Sequence, residues 1–577
     1  MSLETTYFIA GESFRPVNAD EIGIRMNWRG DIQEAELNTD SIVLSNRAKY
    51  LVLQHIEQFG IFEGVPIIIQ VGNSVLEYYI DLQQNPKISG FGDSEIEVSI
   101  KRRRSINWFR EQINGLSFEV INKTNPISTV QIPYLIIPDN QAEMLIMLAI
   151  STFTLTKALI EGINDITDRI SDVQEASIPS ISASGLPVFN IGEIITASLK
   201  LIASIIYTVA LIVALIKLTK QIIELIFPPV KKLKGSTVRE LINKGCANLG
   251  LTFSSTVLDE LNNLTLMPVP LQKTNKSIWK NLLSLNTQSY SKGYPTARDT
   301  TPTLGRLFDF LEDFTQSQIR IIGTTVYLEE ENYWINQSGL QIINTLNLQE
   351  VRENQWTFNI DEAWKRYYLH WQYDISDSHT MDRMESLDME WSTEYVTTSN
   401  VDLFVVKGLV DINLPFALGN RKESLTWVEK QSLPFAITAD NVINFFGGNS
   451  NLVSKIVGRI GVTQISQQYY STSKMLWATN GKQPANYLTK IGALPIANKY
   501  HAKNKVKENF QKIQTARIPL STANFDMIIN NNYVQDENGV YLKLLTFDFI
   551  NDSKEAEIEY SVSSTEGNNT KTILING

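Results

Sequence analysis

At 577 residues the chain is longer than a single hydrophobic core sustains, which calls for several domains. Hydrophobic residues make up 43% and aromatic residues 10% of it, a composition that excludes intrinsic disorder. A net charge of −11 excludes a nonspecific nucleic-acid binder, since phosphate neutralisation needs a surplus of Lys and Arg.

Cys246 is the single cysteine, so an intrachain disulfide and a multi-cysteine metal site are both ruled out. His55, His370, His379 and His501 are spaced too widely for a metal-ligand run. The start, MSLETTYFIAGESF, has neither the basic flank nor the apolar run of a cleaved signal, so synthesis in a cytoplasm is expected.

Residues 1–140 read as a barrel-like β domain. Ile22, Ile24, Met26 and Trp28 alternate with Gly23, Arg25 and Asn27, the period of a half-buried strand. Val65 to Val71, the turn Gly72-Asn73-Ser74 and Val75 to Leu82 form a hairpin, and Ile96, Val98 and Ile100 alternate again. The run Lys101-Arg102-Arg103-Arg104 reads as a solvated strand end, with a polyanion site as its alternative. Asn46 to Phe59 is the only helix expected in this stretch.

Residues 141–234 read as an apolar helical hairpin. Gln141 to Val173 places apolar residues at three- and four-residue steps, including Leu145, Leu148 and Leu155. The breaker-rich SIPSISASGLPVFN follows, and then Ile194 to Phe227, closed by Pro228, Pro229, Lys231, Lys232 and Lys234. Between Lys200 and Lys217 there is no charge, and Leu201, Ile205, Ile206, Val209, Ile212, Val213 and Ile216 fall in this block. As a helix, Leu201 to Ile216 spans about 24 Å, short of a hydrocarbon core of roughly 30 Å. Burial in a bundle is therefore the default, and membrane contact with the flanking lysines snorkelling is the functional alternative.

Residues 235–395 read as a mixed α+β middle domain. Thr237-Val-Arg-Glu240 is a capping-box pattern opening a helix that Gly250 closes. A second helix is expected from Thr303 to Thr315, then a hairpin from Gln318 to Glu330, then Trp364 to Tyr373 with aromatic and polar positions alternating. Residues 396–577 return to β texture, with strands expected at Leu403 to Val410, Ser424 to Phe435, Val540 to Phe549 and Glu555 to Val562.

No phosphate loop, serine-hydrolase elbow or HExxH run occurs. Asp374-Ile-Ser-Asp377-Ser-His379-Thr-Met-Asp382 is the densest polar cluster, but it lacks the glycine and distal glutamate of a calcium loop. Asp309, Glu312 and Asp313 share one helical turn, which is not the facing geometry of a glycosidase pair. Gly447-Gly448 reads as a turn with an anion cradle as its alternative, Cys246 as a core residue, and Lys499 to Lys512 as a solvated basic face with contact to DNA or an acidic partner as its alternative. The chain is thus expected to be no enzyme and to carry no cofactor or metal.

The order of segments carries a resemblance. A β domain and an apolar hairpin precede FPPVKKLKGSTVRELINKGCANLGLTFSS and PTLGRLFDFLEDFTQSQIRIIGTTVYLE. Aromatic strands and RIPLSTANFDMIINNNYVQDENGVYLKLLTFDF complete it. This order resembles the tail hub (tail tip or baseplate hub) proteins of tailed bacteriophages that infect Bacteroidetes-type bacteria. The resemblance implies an α+β, β-rich fold, with barrel-like β domains, an inserted apolar α-helical hairpin and a mixed α/β middle region. It implies a virion protein at the tail tip, self-associating as a homotrimer, that links tail tube to tip and gates DNA exit. Partners would be tail tube, distal tail, tape measure and tip or fibre proteins, with the host membrane possible and no sequence-specific nucleic acid. A pore-forming or surface protein with a sequestered hydrophobic hairpin is the reading of a different class, and a tail-tip glycan hydrolase is a third.

Overall fold

The computed structural model describes residues 5–28, 34–37, 41–84, 86–91, 94–137, 172–177, 180–181, 187–188, 193, 196–197, 200, 230–268, 302–338, 342–343, 349–350, 357–358, 364–374, 386–392, 407–425, 429–430, 433–434, 436–437, 440–441, 444, 449, 451–466, 473–501, 512–519, 521–529, 531–536, 541–550 and 555–562. The fold is α+β and rich in β-structure.

The first strands are β1 (Thr5–Ile9), β2 (Glu12–Phe14), β3 (Gly23–Asn27), β4 (Glu34–Leu37) and β5 (Ser41–Ser45), followed by α1 (Asn46–Phe59). β6 (Val65–Val71), β7 (Ser74–Ile80) and β8 (Glu95–Arg102) follow. One sheet runs β2-β1-β6-β7-β8-β5. β8 turns its corner: Glu95 to Ser99 pair with β5, whereas Ile100 to Arg102 pair with β7. Between β2 and β5 the Val17 N–H donates to the Val43 carbonyl at 2.9 Å, and Asn18 bridges Ser41 and Val43. The sheet is therefore curled round a filled interior in which Ile42, Leu44, Ile67, Ile69 and Ile80 are fully buried. Period-two patterning makes this possible, because one face of each strand must leave water.

Two helices follow that sequence reading left out, α2 (Ile106–Gly115) and α3 (Phe118–Thr124). Ser105 and Ser117 cap them by accepting from Trp108 N–H and Val120 N–H. Both helices are short enough that strand alternation on either side masks their period. Next come β9 (Val130–Ile137), β10 (Lys231–Thr237), α4 (Val238–Asn248) and β11 (Leu264–Met267). α5 (Leu304–Thr315), β12 (Gln318–Ile322), β13 (Thr325–Glu329) and α6 (Glu331–Ser338) complete the middle. Thr237 and Thr303 cap α4 and α5 through their hydroxyls, and Gly250 closes α4 at φ +70°.

β14 (Trp364–Gln372), β15 (Asp388–Ser392), β16 (Lys407–Leu418), β17 (Thr463–Ser466) and β18 (Lys474–Trp477) build the second large sheet, ordered β15-β14-β16-β18-β11-β10-β9-β17. α5 lies across it with six buried apolar side chains. Phe310 meets Trp371 at 5.7 Å and Phe416 at 5.3 Å, and Phe314 meets Trp371 at 5.6 Å. On its other side Gly305 lets α2 approach, since a Cβ there would stand 2.2 Å from Asn114 Oδ1. The strand expected over Ser424 to Phe435 is not formed: among the described residues, 429–430 and 433–434 are helical. There Glu429 is buried in ion pairs with Lys422 and Arg459, long-range contacts that the alternation does not encode.

After α7 (Ala493–Tyr500), β19 (Lys512–Pro519), α8 (Thr522–Ile528), β20 (Tyr533–Asp536), β21 (Tyr541–Ile550) and β22 (Glu555–Val562) close the chain. β3 joins this C-terminal sheet, with Met26 opposite Phe547 and Ile24 opposite Phe549. One core therefore unites residues from both chain ends, from Tyr7 to Val98 and from Ala516 to Tyr560. The β6–β7 turn docks on α8, where Asp526 accepts from Asn73 Nδ2 at 3.0 Å and Ser74 Oγ at 2.5 Å. The second core runs from Phe109 to Tyr500.

Candidate functional site

β9 and β10 pair antiparallel, with Tyr134 opposite Lys231, Ile132 opposite Leu233 and Val130 opposite Gly235. The chain thus leaves the sheet at Ile137 and returns at Val230 beside its point of departure. Residues 138–230 therefore lie between two neighbouring, paired strands. The sequence-named hairpin residues Leu145, Leu148, Leu155, Leu201, Ile205, Ile206, Val209, Ile212, Val213 and Ile216 lie outside the described residues. Among the described residues no helix is long and apolar enough to cross a membrane.

This β9–β10 base has two unlike faces. Ile132, Tyr134 and Leu233 are fully buried and pack with Met267, Leu476 and Ala478. Gln131, Lys232 and Lys234 are exposed on the other side. The lysines that sequence reading placed as the flank of an apolar helix therefore belong to a strand, which runs across residue 234. Lys231 is half-buried, and desolvation holds its ammonium below the usual lysine range.

The polar clusters singled out in the sequence resolve into structural contacts. Asp374, the first acid of the densest cluster, receives Lys474 Nζ at 2.6 Å, with both side chains buried; Asp377, His379 and Asp382 lie outside the described residues. Arg110 spans Asp309 at 2.6 Å and Glu312 at 2.5 Å, so these carboxylates tie α5 to α2. Burial pushes the Cys246 thiol up to about 12, far from a nucleophile's range. Lys101 meets Asp81 at 2.8 Å and Arg104 meets Glu77 at 3.4 Å. Outside the stretches singled out in the sequence, Asp440 caps the Leu452–Val457 helix by accepting from Leu452 and Val453 N–H at 2.9 and 3.0 Å. No cluster of three or more His, Cys, Asp or Glu side chains fit to hold a metal occurs among the described residues.

One constellation escaped sequence reading. On the outer face of β14, Tyr368 and Tyr373 both donate to Asp388 Oδ2 at 3.1 Å, and the His370 ring stacks between them at 5.0 and 6.0 Å. His370 Nε2 lies 2.9 Å from Asp411. The Tyr373 hydroxyl 3.2 Å away, then burial and the Asp388 carboxylate, push the Tyr368 phenol well above the ordinary tyrosine value. A phenol so held stays protonated near neutrality and acts as a donor, so the cluster staples β14 to β15 and β16. The alternation from Trp364 to Tyr373 signalled its rings, but only the strand register supplies Asp388 and Asp411.

No protein-family model and no curated protein matches the sequence. Among solved structures, the chain is similar to the prophage tail protein gp18 from Listeria monocytogenes EGD-e, at 6% identity and a TM-score of 0.32, over 100% of this chain and 98% of that one. A likeness at that TM-score decides neither fold nor function.

Proposed function

We propose that the chain is a structural protein of a phage virion, a tail hub that forms a ring, taken as a homotrimer, at the distal end of the tail. It links tail tube to tip and gates DNA exit, and its apolar insertion contacts the host membrane during delivery. The segment order that resembles phage hubs suggests this reading. The observation that supports it is the β9–β10 pairing, which brings the two ends of the segment carrying the uncharged apolar run side by side in one sheet. A ring of such bodies would surround a lumen and present its insertions together.

Size-exclusion chromatography with light scattering, alone and with the tail-tube protein of the same phage, tests the ring. A trimer, or assembly on the tube protein, is expected. A chain that stays monomeric in both conditions removes the hub. A membrane-active protein with a sequestered apolar segment is favoured by the same base and would instead permeabilise vesicles with no affinity for tail proteins.

A further inference from the structure

We propose that the outward face of the β9–β10 base docks on anionic lipid headgroups, with Lys232 and Lys234 supplying the charge and Lys482 extending it. This rests on the membrane-contact reading of the insertion and adds the lipid chemistry and the residues that read it.

The strand period fixes the geometry. Leu233 and Gly235 face the buried cluster, so Lys232 and Lys234 both face outward, about 7 Å apart at the usual rise. The Thr479–Lys482 turn abuts the same ladder: Gly481, at φ +79°, approaches so closely that a Cβ would stand 2.1 Å from the Gln131 carbonyl, and Gln131 is the partner of Lys234. Lys482 is exposed on that turn. None of the three lysines has an ion-pair partner among the described residues. They are a local positive surface on a chain of net charge −11, which an anionic bilayer would otherwise repel. Their position makes the charge useful, because Lys232 lies one residue from the end of the strand at which the apolar run rejoins the fold. Headgroup attraction decays within about 8 Å at cellular salt, so the charges at this base act once the insertion brings the base close to the bilayer.

Full-length protein is floated with phosphatidylcholine vesicles and with vesicles that also contain phosphatidylglycerol, at low and high salt. Recovery is expected to favour the anionic vesicles and to lose that preference at high salt. Lys232→Gln and Lys234→Gln should each weaken anionic-vesicle binding about fivefold, and the double variant about twenty- to thirtyfold. The Lys232→Arg, Lys234→Arg double variant should bind as wild type, which separates lost charge from a damaged fold. Equal binding of the double Gln variant and wild type to anionic vesicles overturns the inference and leaves membrane contact standing. Wild type that floats with neither vesicle overturns both. Wild type that ignores vesicles but binds duplex DNA through these lysines also overturns it, since the phosphate would then belong to nucleic acid.

Discussion

The guanidinium of Arg320 lies 4.1 Å from the centroid of the Trp334 ring, at the seam where β12 and α6 meet the C-terminal sheet. Arg320 is only 5% exposed, yet it retains its charge at neutral pH although burial lowers its pKa to about 10. Its Nη2 donates to Asn532 Oδ1 at 2.6 Å, Asn532 donates onward to the Leu544 carbonyl at 3.2 Å, and Asn531 donates to the Trp334 carbonyl at 2.9 Å. Arg320→Ala leaves Asn532 Oδ1 without its donor and uncovers the indole. A loss of about 2–4 kcal/mol is expected, measured by denaturant unfolding. Arg320→Lys should recover only part of it, because an ammonium cannot present two planar donors while stacking on the ring. Full recovery by Lys would mean that charge alone holds the seam.

The buried pair of Lys474 and Asp374 gives a second expectation. Removing one partner takes the buried counter-charge from the other, so Lys474→Met alone should cost about 3–5 kcal/mol. Replacing both, as Lys474→Met with Asp374→Leu, should restore most of that stability, since apolar packing commonly matches a buried ion pair. A double variant as unstable as the single one would assign the loss to shape instead of charge.

Glu329 sets a pH dependence. Its carboxylate is fully buried and accepts from Thr256 N–H at 2.7 Å and from the Thr256 hydroxyl. Desolvation nevertheless holds its pKa above the ordinary 4.5. The folded chain therefore binds this proton more tightly than the unfolded chain does. The stability it contributes is complete below 4.5 and is lost as pH rises through the raised folded value. Glu329→Gln keeps an acceptor for the N–H, offers an amide N–H that the Thr256 hydroxyl can turn to accept, and carries no titratable proton. Relative to this variant, wild type should lose stability as pH is raised from 4.5 toward neutrality, read as the difference in Tm across pH. A difference that is flat in pH would exclude Glu329 as its source.

Elements whose pattern is local were readable from the residues. α1 and α5 announce themselves by period and by Thr303, and the Val65–Ile80 hairpin by its turn, because each is decided within a few neighbours. What the residues concealed is long-range. Nothing near Gly23 indicates that β3 pairs with β21, more than five hundred positions away. The run Lys231 to Lys234 looks like the polar end of a helix until Tyr134 is found opposite it. The same limit applies to the Tyr368 cluster, whose acids arrive from two other strands.

The pairing of Tyr134 with Lys231 makes the insertion separable, which yields the most direct expectation. Two antiparallel strands joined by a short turn are a hairpin, so replacing residues 138–230 by a four-residue turn containing Asn-Gly should leave the β9–β10 ladder intact. Shortening the connection so far lowers its closure entropy by about 2–3 kcal/mol. Against this stands lost packing such as that of Val173, which is 3% exposed, and a buried valine is worth about 1.5–3 kcal/mol. The shortened chain is expected to fold with a Tm within a few degrees of wild type while losing its recovery with every kind of vesicle. A shortened chain that unfolds, with Lys232 and Lys234 intact, would instead make the insertion part of the core. One that folds and still floats with anionic vesicles would show that the lysine face suffices for binding and that the apolar run adds nothing to it.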